Sequence, residues 1–366
     1  MTLCRRTTTT TSSAATTAVA ATRRFAIVGA GIAGLVCART LMQAGCDVQV
    51  HESASQPGGR LATLETPFGN FDTGTQYFTV RDSRLTLALE RTAHDAARRW
   101  SANAVRVLDA QGRVIEAAPA SHEAHWVGHP GMAALPLCWA RPLIGQGRLY
   151  TDSRVTAVQR DAIHANRWQI HTENAQGEAR VLGGFDAVIF ATPHSRLREV
   201  LLKSALHIPL LKELDRVDAA PCWTLLLAFP NAVQPGLQTL GPQWNAAYST
   251  HHRVAWLARE SSKPGRAPIE RWTVQASTAW SREHQSDDAE RAAAKLLKAF
   301  GEITGIRATP AMAQTVFWRD AQTLQPLGQS FVWDAALNLG ACGDWCLGRR
   351  VEDAFVSGLE LALHLA

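Results

Sequence analysis

No stretch constrains this chain more than Gly29-Ala-Gly31-Ile-Ala-Gly34. The apolar run Phe25-Ala-Ile-Val28 precedes it. An apolar helical pattern follows from about Ile32 to Ala44, and Gly45 supplies a stop. Asp47-Val-Gln-Val-His51 then has the character of a second strand, so the order strand, tight turn, helix, strand opens a parallel sheet. In a G-x-G-x-x-G turn the first glycine permits the turn and the second lets backbone approach a pyrophosphate. The third lets the helix pack on the sheet. Gly29, Gly31 and Gly34, with Ile32 and Ala33 beside them, are therefore candidate contacts to a dinucleotide, whose phosphates gain from the free N–H groups and dipole of the helix N-terminus. Glu52 ends the second strand. A carboxylate there accepts hydrogen bonds from an adenosine ribose 2′-OH and repels a 2′-phosphate.

These residues do not separate FAD from NAD, since both carry ADP. The next stretch does. Gln56-Pro-Gly58-Gly59-Arg60 gives a glycine pair that lets backbone pass the pyrophosphate, and Arg60 can pair with a phosphate or shield the flavin edge. Asn70-Phe-Asp72-Thr-Gly74-Thr75-Gln76-Tyr77-Phe78 follows as a glycine-bearing turn rich in polar and aromatic side chains. An NAD dehydrogenase has no need of either. The Gly-Gly-Arg extension resembles that of flavoproteins of the amine oxidase, desaturase and protoporphyrinogen oxidase type. At the other end of the chain, Gly340-Ala-Cys-Gly343-Asp344-Trp345 lies between a strand and the last helix, with Asp344 placed to bond ribityl or phosphate oxygens. Arg349-Arg350-Val351-Glu352-Asp353-Ala354 starts that helix. Its N-terminal dipole would face the N1–C2=O edge of the flavin, where negative charge collects on reduction. Ala191, at the end of the apolar strand Ala187-Val-Ile-Phe-Ala191, and Val155, within a strand pattern over 148–158, complete the candidate cofactor contacts with Thr75 and Gln76.

The pattern of elements divides the chain into interleaved segments. Residues 24–84, 148–200 and 335–366 are expected to form the FAD-binding domain, and 85–147 and 201–334 an α+β substrate domain. The expected fold is α/β, a Rossmann-type domain with a parallel sheet joined to that second domain. Leu85 to Trp100 has an amphipathic helical pattern, Arg148 to Val158 and Arg167 to Thr172 have strand patterns, and Asn174-Ala-Gln-Gly177 is a turn. Residues 201–334 are rich in Trp, with Pro-rich breaks near 229–235 and 264–268. Leu337 to Ala341 returns to strand character, and a helix from about Val351 ends the chain.

Composition excludes several classes. The formal net charge of +5 includes Arg5, Arg6, Arg23 and Arg24 from an acid-free leader, and the remaining body is near +1. A near-neutral body does not predict nucleic-acid or anionic-membrane binding. No run of apolar residues is long enough for a transmembrane helix. Residues 1–23, a Thr/Ala/Ser tract, read as a disordered leader or the product of an early start codon in preference to a targeting signal. The seven cysteines form no C-x-x-C and are odd in number, which argues against a metal site or a disulfide framework and favours a reducing, cytoplasmic setting. A monomer or homodimer is expected.

The blocks DTGTQYFTVRD (72–82), HWVGHPGMAAL (125–135), VAWLARESSKPGR (254–266), STAWSREH (277–284) and CGDWCLGRRVEDAFVSG (342–358) together resemble the bacterial renalase-like FAD oxidoreductases. The resemblance spans nearly the whole chain from Arg24. It implies a p-hydroxybenzoate-hydroxylase-like two-domain fold, non-covalent FAD, and oxidation of the 2- and 6-dihydro isomers of NAD(P)H with O2 as the final acceptor. The sequence departs from the family at Trp318-Arg319-Asp320, where an aromatic residue usually follows the Trp-Arg pair. Such a reaction needs no strong base; the ring must lie flat at the flavin N5. Tyr77, Gln76, Gln275, Trp280 and Trp318 are the candidate catalytic residues, although each Trp also suits a core and Gln275 a satisfied core amide. His284, at a charged helix start, is expected to be exposed, and His51 to be a strand residue. An amine oxidase or desaturase of the same fold, or a flavin-binding protein without turnover, are the competing readings. The amine oxidase reading would call for an aromatic cage and a lysine–water site, the desaturase for a long apolar tunnel.

Overall fold

A computed structural model describes residues 22–100, 105–117, 123–206, 208–232, 242 and 244–366. The leader up to residue 21 with Cys4, and residues 233–235 of the first Pro-rich break, lie outside the described residues.

The first strand, Arg24–Val28, is central because all four of its apolar residues are buried. Alternate side chains serve opposite faces of the sheet, as the two-residue period requires. Phe25 and Ile27 enter one core, and Ala26 and Val28 another. The six-stranded sheet runs Val332–Asp334, Leu339–Ala341, Ala187–Phe190, Arg24–Val28, Asp47–His51, Leu149–Tyr150, and its pairings are parallel except at the Val332–Asp334 edge. One face carries the helices Ile32–Gln43, Ala134–Gly145 and Val351–Leu365; against the other pack the antiparallel strands Arg154–Arg160, Trp168–Glu173 and Ala179–Phe185 with the helix His194–Lys203.

A seven-stranded sheet follows the order Met312–Gln325, Asp218–Phe229, Glu270–Ala276, Val254–Arg259, Ala246–Ser249, Val105–Leu108, Val114–Ala117. The amphipathic helix Ala289–Thr304 covers one face and buries Leu296 and Phe300 among Leu225, Leu227, Trp272 and Trp280. The other face turns toward the first half of the molecule, where Trp256 and Ala258 join the core of the six-stranded sheet.

The structure departs from the sequence patterns at four places. The helix expected over Leu85–Trp100 is Ser83–Thr92, and Ala97–Trp100 is a strand paired antiparallel with His125–Gly128. Asp82 caps that helix through the Arg84 amide, and Leu85 and Leu89 exhaust its buried face; Trp100 then enters the core as a strand residue. The strand expected over Arg148–Val158 is two, Leu149–Tyr150 and Arg154–Arg160, in different sheets, broken where Asp152 takes a φ of 48°. Val332–Asp334, counted with the second domain, joins the parallel sheet. His284 does not start a helix but ends Thr278–Glu283, half-buried and stacked on Trp280 with ring centroids 4.3 Å apart. No helix is long and apolar enough to cross a membrane among the described residues, and the six described cysteines are free thiols.

Candidate active site

The glycine turn is built by contacts that exclude side chains. Gly29 has a φ of 102°, and a Cβ there would lie 2.7 Å from the Ala191 carbonyl oxygen. A Cβ on Gly34 would overlap the Gly29 carbonyl, so this glycine seats the helix on the strand. Gly31 differs: a Cβ there would meet nothing within 4 Å. Its open side faces a cavity of about 2340 Å³. Gly58 bonds its amide to the Ala30 carbonyl at 2.9 Å, which brings the Gly-Gly-Arg turn against the first glycine turn. Glu52 accepts from the Ala30 amide at 2.7 Å and the Ala54 amide at 2.9 Å, and its carboxylate lines the cavity.

The C-terminal segment reaches the same cavity. Arg60 donates to Asp344 from both terminal nitrogens, at 2.9 and 2.5 Å, and Thr323 adds a bond of 3.0 Å to Asp344. Burial disfavours the Arg60 charge, but Asp344 outweighs this and holds its pKa above the usual value. Gly358 explains how two distant stretches converge: a Cβ there would overlap the Ala33 backbone, so the last helix lies directly on the glycine-turn helix. Val351 and Ala354 consequently present that helix's N-terminus to the cavity.

Of the candidate cofactor residues, Gly29, Gly31, Ile32, Ala33, Glu52, Gly59, Arg60, Thr75, Val155, Ala191, Gly343, Asp344, Val351 and Ala354 line this one cavity. Gly34, Gln76 and Glu352 do not. Glu352 is buried and accepts from the Arg81 and Asp82 amides at 2.5 and 2.7 Å, tying the 70–82 segment to the last helix. Of the candidate catalytic residues, Tyr77 and Trp318 line the cavity. Gln275 donates to the Gly74 carbonyl at 2.6 Å, Gln76 donates to the Asp72 and Gly74 carbonyls at 2.6 and 3.1 Å, and Trp318 donates to the Thr73 carbonyl at 2.9 Å. The two glutamines thus fix the turn that carries Thr75 and Tyr77 instead of facing the cavity themselves. Trp280 is 4% exposed in the core beneath Ala289–Thr304, away from the cavity, because its helix packs its ring inward.

Sequence reasoning missed a buried ion network behind the turn. Lys263 donates to Asp72 at 2.8 Å, to Glu260 at 2.9 Å and to Gln76 at 3.2 Å, and Arg266 donates to Asp72 at 2.5 Å. Burial works against the Asp72 charge, yet Lys263 and Arg266 hold its pKa below the ordinary carboxylate range. The network's sequence signals were the blocks 72–82 and 254–266, which the resemblance flagged without assigning a role to Asp72, Glu260, Lys263 or Arg266. Tyr248, Trp100 and His125 on the cavity wall were missed as well, since strands far apart in sequence deliver them.

The donor set fits FAD. An open glycine floor, a helix N-terminus and Glu52 suit a dinucleotide, and the buried Thr192 hydroxyl on the cavity wall has no protein partner. A volume near 2340 Å³ exceeds the roughly 300–1,000 Å³ typical of a single small-ligand site, which leaves room for a donor beside a dinucleotide.

This fold and this cavity define a dinucleotide-binding oxidoreductase of the flavoprotein class. The chain belongs to the flavin-containing amine oxidoreductases: that family's sequence profile matches residues 117–364, and the profile of an NAD(P)-binding Rossmann-like domain matches residues 27–90. It is a flavin-dependent enzyme with FAD as cofactor. A crystal structure of a protein from Exiguobacterium sp. 255-15, assigned as a protoporphyrinogen oxidase, superposes with a TM-score of 0.71 at 13% identity, covering 94% of this chain and 99% of that one. At that identity the likeness shows the fold alone. Hydroxyneurosporene desaturase of Cereibacter sphaeroides is 43% identical over 56 residues, which is 15% of this chain and 11% of the desaturase.

Proposed function

We propose that this chain is a renalase-like oxidase that takes hydride from 2- and 6-dihydro isomers of NAD(P)H. The six-stranded half holds the cofactor and the seven-stranded half the donor. When bound, FAD supplies the hydride acceptor and O2 restores it with release of H2O2. The donor's ring nitrogen expels the hydride as the ring becomes aromatic, so the protein's task is to hold the ring flat and exclude water. Tyr77 and Trp318 provide flat walls for this. Gln76 and Gln275 keep the Asp72–Tyr77 turn in place, and the N-terminus of Val351–Leu365 favours negative charge where it meets the cavity.

The observation that carries this reading is the wall itself. Tyr77 and Trp318 share one cavity with the glycine floor, and no lysine lines that cavity among the described residues. An amine oxidase would be expected to place a lysine–water pair there. Eight arginines on the wall fit poorly with a tunnel for a long hydrocarbon. The short match to a desaturase keeps desaturation as the second reading. Anaerobic titration of the yellow holoprotein separates them. Rapid bleaching of the flavin by the dihydro isomers, and not by ordinary NAD(P)H, is the expected result. Bleaching by amines or by polyene donors alone would overturn the proposal. Trp318→Ala should retain FAD but slow bleaching by roughly 10–100-fold, through lost positioning of the ring.

A further inference from the structure

We propose that the paired hydroxyls of Tyr77 and Tyr248 form a subsite for a primary carboxamide on the donor ring, and that Tyr248 sets the preference for that substituent. The inference deepens the reading above and rests on it for the identity of the ring; the subsite itself stands on the tyrosine pair.

Tyr77 and Tyr248 meet hydroxyl to hydroxyl at 2.6 Å, and both line the cavity. They come from opposite halves of the molecule. Tyr77 lies in the turn that Gln76 and Gln275 brace, and its neighbour Phe78 exchanges both backbone hydrogen bonds with Trp126 at 2.8 Å. Tyr248 stands on the strand Ala246–Ser249, and the register fixes its direction. Ala247 enters the core beneath Ala289–Thr304, so Tyr248 projects from the opposite face. Its cross-strand partner Trp256 joins the core of the six-stranded sheet, and the next residue in that row is Gln275. Tyr248, Trp256 and Gln275 thus share the face turned toward the cofactor half. Trp256 packs edge-on to Tyr248 at 4.7 Å and lies 5.5 Å from Tyr77, and His125 lies 4.4 Å from Tyr77. The two phenol rings are therefore set in place by other rings, and their hydroxyls by each other.

A phenol keeps its proton at neutral pH, and burial, reinforced by Tyr248, raises the Tyr77 pKa further. The pair thus holds two O–H groups, and their mutual bond uses one. No other hydrogen bond reaches either hydroxyl among the described residues. One tyrosine is left with an O–H to give, and the other, beside it, with oxygen lone pairs to receive. A primary carboxamide carries the matching set, a carbonyl that accepts next to an N–H that donates. It closes a ring of three hydrogen bonds, phenol to phenol, phenol to carbonyl and amide to phenol, in which every group donates once and accepts once. A ketone can only accept and an ammonium only donate, so each uses one side of the pair. A carboxylate would draw both O–H groups only if the phenols gave up their mutual bond.

Unreactive ligands test this on the FAD-loaded protein without hydride transfer, by saturable change in the flavin spectrum. Benzamide, acetophenone and benzylamine place an amide, a ketone and an ammonium on the same ring. Benzamide should bind about 3–10-fold tighter than acetophenone, the worth of one neutral hydrogen bond, and should exceed benzylamine by at least as much. Tyr248→Phe and Tyr77→Phe should each bring benzamide to within about twofold of acetophenone, while acetophenone itself hardly moves because one O–H remains. Flavin content and melting temperature check that the variants fold; if either does not, the ligands on the unaltered protein still decide. Equal binding of benzamide and acetophenone, tighter binding of benzoate than of benzamide, or phenylalanine variants that keep the amide preference would overturn the subsite. Amide preference without bleaching by the dihydro isomers would overturn the donor assignment and spare the subsite. Bleaching without amide preference would do the reverse.

Discussion

The Lys263 side chain is sealed from solvent, and its ammonium donates to Asp72, Glu260 and Gln76. Removing one partner from such a group strands the others in a medium that solvates charge poorly. Lys263→Met should therefore cost about 3–5 kcal/mol in chemical denaturation, well beyond its lost packing. A loss below about 1 kcal/mol would mean that Arg266 alone satisfies both carboxylates. His51 makes a prediction about pH. Burial first, then the nearby Arg24 cation, pushes its pKa from 6.5 down to about 4. The ring is thus neutral in the folded protein while the unfolded chain binds a proton more readily. Its contribution is complete above pH 6.5 and is lost as the pH falls toward 4. His51→Gln should flatten the fall in stability across that window by up to roughly 3 kcal/mol, measured as unfolding free energy against pH. An unchanged slope would show that the folded and unfolded rings take up a proton alike, and that burial does not hold His51 neutral. Neither behaviour is legible in the sequence, where Lys263 and His51 stand among ordinary neighbours and their burial is set by remote strands.

At the scale of elements, the glycine turn separates two functions by position. Gly31 has the ordinary extended backbone of a helix N-cap and open space on its side-chain face. Gly31→Val should leave the apoprotein's melting temperature nearly unchanged and abolish FAD retention, read from the absorbance of the purified protein. Gly34→Ala forces a methyl into the Gly29 carbonyl and should lower stability by about 1–3 kcal/mol even without cofactor. The reverse pattern would refute the assignment of floor and packing roles. This element was legible because its signal is local: apolar strand, glycines at fixed spacing, apolar helix. The 85–100 stretch was not, because a helical pattern and a strand pairing compete there. The bond network between Ala97–Trp100 and His125–Gly128 decides for the strand beyond Thr92.

For the whole molecule, the decisive contact is between the two ends of the chain. The helices Ile32–Gln43 and Val351–Leu365 touch at Ala33 and Gly358, and this contact brings Asp344 and Ala354 to the glycine floor. Gly358→Val should separate the helices, lower stability by about 1–3 kcal/mol and release FAD together with it, followed by loss of flavin absorbance on gel filtration. Retained flavin would show that the C-terminal corner is not needed to hold it. The sequence by itself determined the dinucleotide turn, the Gly-Gly-Arg extension, the Asp344 corner and the four inner strands of the six-stranded sheet, because each depends on residues within about one supersecondary unit. Only the tertiary structure decided which side chains face the cavity: it turned Trp280 into the core and made Gln76 and Gln275 struts of a turn. It also assembled Tyr77, Tyr248 and His125 into one wall. Those choices rest on packing between strands more than a hundred residues apart, and local pattern carries no record of such distances.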